Sequence, residues 1–342
     1  MRERGDLTCC ARCAGTGVAV RTQRRRLFKS AVFPAPQALR RGAPGNVSDG
    51  ATATDSAGQP ATVTGLVLDV SPQVLVVAAA RREERFLLSP QTTAWRGSLI
   101  EPATLMAGDQ VIVRVMPGRR NVAGKIWAGI GRVTGTILER SRGSLLVDEG
   151  RTKSRQAVVI SPGSASRLQV RFPHLEPGHL IDVIGVRRGG TLEAMVPATS
   201  QPAYRADQVA GVALVTGHDP GTISGSATWH EAGEGEEDEG LAYPAIDPAG
   251  GCGEPAAEGP ACADMPYLAI GSMLMVRNEC TGHSQVLPVT SCGTVARLFC
   301  DRCLTCGTSP RGRIADLTAA SFVALGGELE QGCFNATIAM GQ

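Results

Sequence analysis

A period of about 70 residues constrains this 342-residue chain more than any other feature. Val63-Thr64-Gly65 returns as Val133-Thr134-Gly135, 70 positions on. Leu88-Ser89-Pro90 returns as Ile160-Ser161-Pro162 at an offset of 72, and Ala107-Gly108-Asp109-Gln110-Val111 as Pro177-Gly178-His179-Leu180-Ile181 at 70. Three landmarks in one order at near-constant spacing predict two copies of one small fold, at 61–130 and 131–198. Two copies make a tandem, not a stacking solenoid.

Within the first copy, apolar runs begin at Gly65, Val74, Arg85, Gln110 and Ala123, separated by Gly, Pro and Ser. Short strands at that spacing predict a five-stranded OB-like or SH3-like barrel in each copy. Oligonucleotide-binding barrels show exposed aromatic residues on adjacent strands. The first copy has Trp95 and Trp127, and the second has no Trp or Tyr. The two modules therefore read as structural elements or as docking sites for protein partners, with no nucleic acid expected.

The flanking segments differ in character. Residues 1–60 lack periodicity and read as a basic, disordered segment. Arg24-Arg25-Arg26-Leu27-Phe28-Lys29 resembles a twin-arginine export signal, although Pro34, Pro36, Arg40 and Arg41 interrupt the apolar stretch that should follow. Cys9, Cys10 and Cys13 lack a nearby fourth ligand for a structural zinc site. Residues 199–221 read as a linker. The formal charge is +6 over 1–60, +6 over 61–221 and −10 over 222–342, so the last third repels phosphate backbones. No run of eighteen apolar residues predicts a transmembrane helix. With 42 Gly and 21 Pro among short Val/Ile/Leu runs, the whole chain is expected to be all-β.

The remaining eight cysteines, Cys252, Cys262, Cys280, Cys292, Cys300, Cys303, Cys306 and Cys333, crowd into the last third. An even, dense set in a small domain predicts a disulfide framework and an oxidising compartment. The connectivity stays open. Cys300-x-x-Cys303-x-x-Cys306 with Cys292 or His283 is the alternative zinc reading. The bridge reading is preferred, with no metal and no cofactor.

Four motifs in the last third occur in the order of a known family. Gly225-Ser226-Ala227-Thr228-Trp229-His230 opens the segment, and Leu268 to Asn278 reads as a turn feeding a strand. Val295 to Cys303 contains Asp301-Arg302-Cys303. Gly312 to Phe322 contains Asp316-Leu317-Thr318, with Thr318 placed to cap a short helix and Phe322, Val323 and Leu325 placed for the core. Gly332 to Ile338 reads as a last strand. This set resembles the double-psi β-barrel of the lytic transglycosylases named for rare lipoprotein A, and of expansins. The resemblance implies a six-stranded, disulfide-braced double-psi barrel over 222–342 in an extracellular, cell-wall-associated protein whose partner is peptidoglycan or a related polysaccharide.

The resemblance also implies a site. Asp301 and Asp316 would line one groove, one of them as the acid/base of a lytic transglycosylase, with its pKa raised against an apolar wall. Trp229 and Tyr267 would stack on sugar rings, or else serve as core residues with satisfied polar tips. Arg302 joins them as a substrate-binding candidate. An alternative alignment puts Gly282 in the family's hairpin and Ser291 where the family has its catalytic Asp, which removes the acid. The Asp301 alignment is preferred because Asp-Arg-Cys and Asp-Leu-Thr then hold together.

Overall fold

The computed structural model describes residues 60–80, 82–150, 153–198, 205–206, 221–232, 239–246, 265–293 and 313–340. All of these fall in one compact unit. The described elements are almost entirely strands, and none of the described helices is long and apolar enough to cross a membrane.

The first copy of the repeat supplies β1 (Thr62–Val70), β2 (Val74–Ala79), β3 (Glu83–Leu87), β4 (Thr93–Trp95), β5 (Leu99–Ile100), β6 (Gln110–Val115) and β7 (Ala123–Ala128). They form one sheet in the order β3-β2-β1-β6-β7-β4-β5. In β6 every second residue (Val111, Val113, Val115) turns inward, as the period of two along a strand requires. The second copy supplies β8 (Ile130–Ser141), β9 (Ser144–Asp148), β10 (Gln156–Ile160), helix α1 (Pro162–Arg171), β11 (Leu180–Arg188) and β12 (Thr191–Pro197). Its five strands close into a barrel, β10-β12-β11-β8-β9.

The repeat is written into the backbone as well as the sequence. A bulge falls between Val67 and Asp69 in β1 and between Ile137 and Glu139 in β8, again 70 positions apart. Gly108 and Gly178, the landmark glycines, have φ of 90° and 88°. Each N–H donates to the carbonyl of the residue just before the bulge, Val67 or Ile137, at 2.8 Å. A left-handed backbone is why glycine stands there in both copies. A Cβ on Gly65 would meet the carbonyl oxygen of Ala78 at 2.2 Å, and one on Gly135 that of Asp148 at 2.0 Å.

One expectation needs correction: the two copies are not equivalent five-stranded barrels. In the second, β10 and β12 close the barrel through three parallel pairs from Val158↔Leu192 to Ile160↔Ala194. In the first, the same closure shrinks to one bridge, Leu87↔Val122. There β7 pairs with the extra strand β4 instead, and β4 turns back into β5. The divergence starts at the shared Ser-Pro. Ser161-Pro162 launches α1 with proline in its first turn, a helix-start signal that the strand reading passed over. Ser89-Pro90 instead closes a turn, in which the Ser89 N–H donates to Thr92 Oγ1 at 2.9 Å.

The last third supplies β13 (Thr222–His230), β14 (Leu241–Tyr243), β15 (Met273–Asn278), β16 (Ser284–Cys292), β17 (Arg313–Thr318), the short helix α2 (Ala319–Ala324) and β18 (Cys333–Met340). They close a six-stranded barrel, β13-β17-β14-β16-β15-β18. Two of its pairings are parallel, β13 with β17 and β14 with β16. Thr318 caps α2 by accepting the Ser321 N–H, and Phe322, Val323 and Leu325 are fully buried. Phe322 stacks on Phe334 with centroids 4.7 Å apart.

A single apolar cluster runs through the three modules. It joins Trp95 and Trp127 of the first, Ile184 and Val186 of the second, and Trp229, Tyr243 and Leu317 of the third. Charged residues lace the edge of that cluster. Glu328 accepts from Arg114 (2.6 Å) and Lys125 (2.5 Å). Glu330 accepts from the Trp127 indole N–H at 2.6 Å and also from Lys125.

Candidate functional site

Strand register sets a row of side chains across the third barrel. Thr228 of β13 pairs with Asp316 of β17, Asp316 with Ala242 of β14, and Ala242 with Ser291 of β16. Directly paired residues point to the same face, so four strands present hydroxyl, carboxylate, methyl and hydroxyl in line. Leu317 and Leu241, next to Asp316 and Ala242 in their strands, are fully buried, and the row is itself largely covered, with Thr228 2 % and Ala242 5 % exposed. His230 stands two residues beyond Thr228 on that same face.

Asp316 is the centre of this row. Thr228 Oγ1 donates to its Oδ1 at 2.6 Å, and His230 Nδ1 lies 3.7 Å from its Oδ2. Burial alone would push the carboxyl pKa up. The His230 imidazole, the Arg313 and Arg132 guanidiniums and the Thr228 hydrogen bond more than offset this, and the pKa falls below the ordinary aspartate value. The direction is opposite to the one expected of a proton donor, so Asp316 stays ionised at neutral pH.

Beneath the row lies a buried ion network shared with the second barrel. Asp182 of β11 accepts from Arg132 Nε at 2.8 Å and Nη2 at 2.7 Å, from Thr134 Oγ1 at 2.9 Å and from Arg313 Nη2 at 2.5 Å. Side-chain exposure is 0 % for Asp182, 1 % for Arg132 and 3 % for Arg313. Burial raises the Asp182 pKa, but the two guanidiniums and their hydrogen bonds outweigh it and bring it down to about 2. Arg132 also reaches into the third barrel, where Nη1 donates to the carbonyls of Trp229 (3.1 Å) and Gly332 (2.7 Å). Further out, Arg187 pairs with Glu231 at 2.8 Å.

The sequence-derived candidates fall unevenly on this arrangement. Trp229 is 1 % exposed, donates its indole N–H to the Leu329 carbonyl at 2.8 Å and stacks under Arg132, which is the core role of the two considered. Tyr267 is 58 % exposed. The Tyr243 hydroxyl donates to the carbonyl of Pro266 at 3.2 Å, which ties Tyr267 to the end of β14. Gly282, with φ of 79°, forms the hairpin between β15 and β16, where its N–H donates to the Asn278 carbonyl at 2.8 Å. Cys280, Cys292 and Cys333 are disulfide-bonded. Asp301 and Arg302, with Cys252, Cys262, Cys300, Cys303 and Cys306, lie outside the described residues, as do residues 1–59 and most of 199–221.

Sequence reasoning missed Arg132, Asp182, His230 and Arg313. Arg132 and Asp182 sit in the buried parts of their strands, between apolar and small residues (Ile130 to Ile137 and Leu180 to Val186), and a charge in such a run is the signal that could have marked them. The chain matches no protein-family model and no curated protein.

Proposed function

We propose that the third barrel is a cell-wall polysaccharide-binding module of double-psi type that holds glycan without cleaving it. The observation that carries this reading is the register at Ala242. Its two neighbours are Asp316, which is ionised, and Ser291, a hydroxyl. Gly282 in the hairpin and β16 directly behind it favour the alignment that puts Ser291 at the family's catalytic aspartate. A glycosidic bond needs a protonated carboxyl to leave, and this row offers an acceptor instead. An ionised carboxylate flanked by hydroxyls over a small alanine suits the hydroxyl groups of a sugar, and the exposed Tyr267 ring suits its apolar face.

The two parallel pairings support the double-psi reading, because each needs a crossover that a simple meander lacks. The eight cysteines act as a reinforcing framework suited to an exported protein, with the arginine-rich segment near residue 25 as its export signal. The second barrel, closed by parallel strands with a helix between its third and fourth strands, is read as OB-type and serves as scaffold.

Incubating the full chain with purified peptidoglycan tests this. The protein is expected to pellet with the wall, Asp316→Asn is expected to reduce pelleting about tenfold, and no anhydro-muramyl product is expected by mass spectrometry. Product formation abolished by Asp301→Asn would overturn the non-cleaving reading and restore the Asp301 alignment.

A further inference from the structure

Arg313 opens β17, the strand that carries Asp316, yet its Nη2 donates to a carboxylate 131 positions earlier in another barrel. Asp182 is fully buried and holds Arg313 and Arg132 together, so it fixes two cations whose charge acts on Asp316. Arg132 then donates to the Trp229 carbonyl, the peptide that leads directly into His230. It donates as well to the Gly332 carbonyl, just ahead of β18. Gly332 is packed so closely against the second barrel that a Cβ there would meet the Ala198 carbonyl oxygen at 2.4 Å. The backbone between Thr228 and His230, and the start of β18 that pairs with Thr228, are thus held by Arg132, which Asp182 orients.

We propose that Asp182 of the second barrel is a positioning residue for the Thr228–Asp316–His230 cluster of the third, acting through Arg132 and Arg313. The second barrel is then part of the site's construction and not a detachable spacer. Without the Asp182 charge, both guanidiniums turn to the next carboxylate, Asp316, and draw it away from His230. The functional value of the cluster rests on the glycan-binding reading, but the positioning itself does not.

The test uses the full chain and two variants, Asp182→Asn and the apolar triple Arg132→Met/Asp182→Leu/Arg313→Met. Buried ion triads replaced by apolar side chains of similar volume often retain or gain stability, so the triple separates bracing from positioning. The chain has five histidines, so the ring nitrogen signals of His230 can be assigned in a long-range proton–nitrogen spectrum by comparison with His230→Gln. In Asp182→Asn the His230 signals are expected to move and wall pelleting to fall about tenfold. In the triple the unfolding temperature is expected to return toward wild type while the His230 signals stay displaced and pelleting stays low. A folded triple with wild-type His230 signals and wild-type pelleting would show the network to be a brace only, and would overturn the proposal. If the wild-type chain fails to pellet, the glycan reading fails by itself, and the His230 signals still decide the role of Asp182.

Discussion

The third barrel meets its two neighbours through ion pairs of opposite character. Toward the first sheet, Glu328 and Glu330 face Arg114 and Lys125, all four with side-chain exposures between 13 % and 25 %, and Glu330 also meets the Trp127 indole. Toward the second barrel, the outer pair Arg187–Glu231 is similarly exposed, but Arg132, Asp182 and Arg313 are almost wholly withdrawn from water. Water and salt screen the first set and leave it replaceable. The second set has no such relief, so every charge in it depends on the others. The number of ion pairs at a seam therefore says less about its role than the depth at which they sit.

That contrast can be broken by mutation. The largest effect is expected from Asp182→Ala, which strands two buried guanidiniums and should cost about 3–5 kcal/mol in urea denaturation. A loss under about 1 kcal/mol would erase the distinction between the seams. Acid sharpens it further. The folded pKa of Asp182, about 2, lies below its unfolded value. Its contribution is thus fully present above about pH 4 and is lost as the pH falls toward 2, on the order of 2 kcal/mol. Stability of the wild type should drop across that window, and the drop should shrink in Asp182→Asn.

At the first seam Trp127→Phe keeps the ring in the core but removes the indole hydrogen bond to Glu330. The expected loss is about 1.5 kcal/mol by thermal unfolding. The smallest effect belongs to Glu328→Gln, about 0.5–1 kcal/mol at low salt and near zero in 1 M NaCl. Salt-independent loss there would mean that the first seam is as dry as the second.

Much of the framework was legible in the residues. The landmarks Val-Thr-Gly and Gly-Asp or Gly-His mark places where the backbone leaves no choice: a close approach to a carbonyl at Gly65 and Gly135, and a left-handed turn at Gly108 and Gly178. Thr318 before Ala319 announced a helix cap by local chemistry alone, and the cap is there. The extra hairpin β4–β5 was not legible, because three- and two-residue strands lack the length for a detectable alternation. Trp229 was ambiguous for another reason: a tryptophan at the end of a strand has the same sequence signature whether it stacks on a sugar or fills a core.

The sequence by itself determined the all-β character, the two-fold repeat and the turns, since these depend on residues within a few positions of one another or on a pattern visible by translation. Only the tertiary structure decided that Asp182 meets Arg313 and that Asp316 is held ionised. The physical reason is that a carboxylate's charge state depends on which cations the fold brings to it and how much water it excludes. Neither is encoded within the stretch of chain that carries the carboxylate.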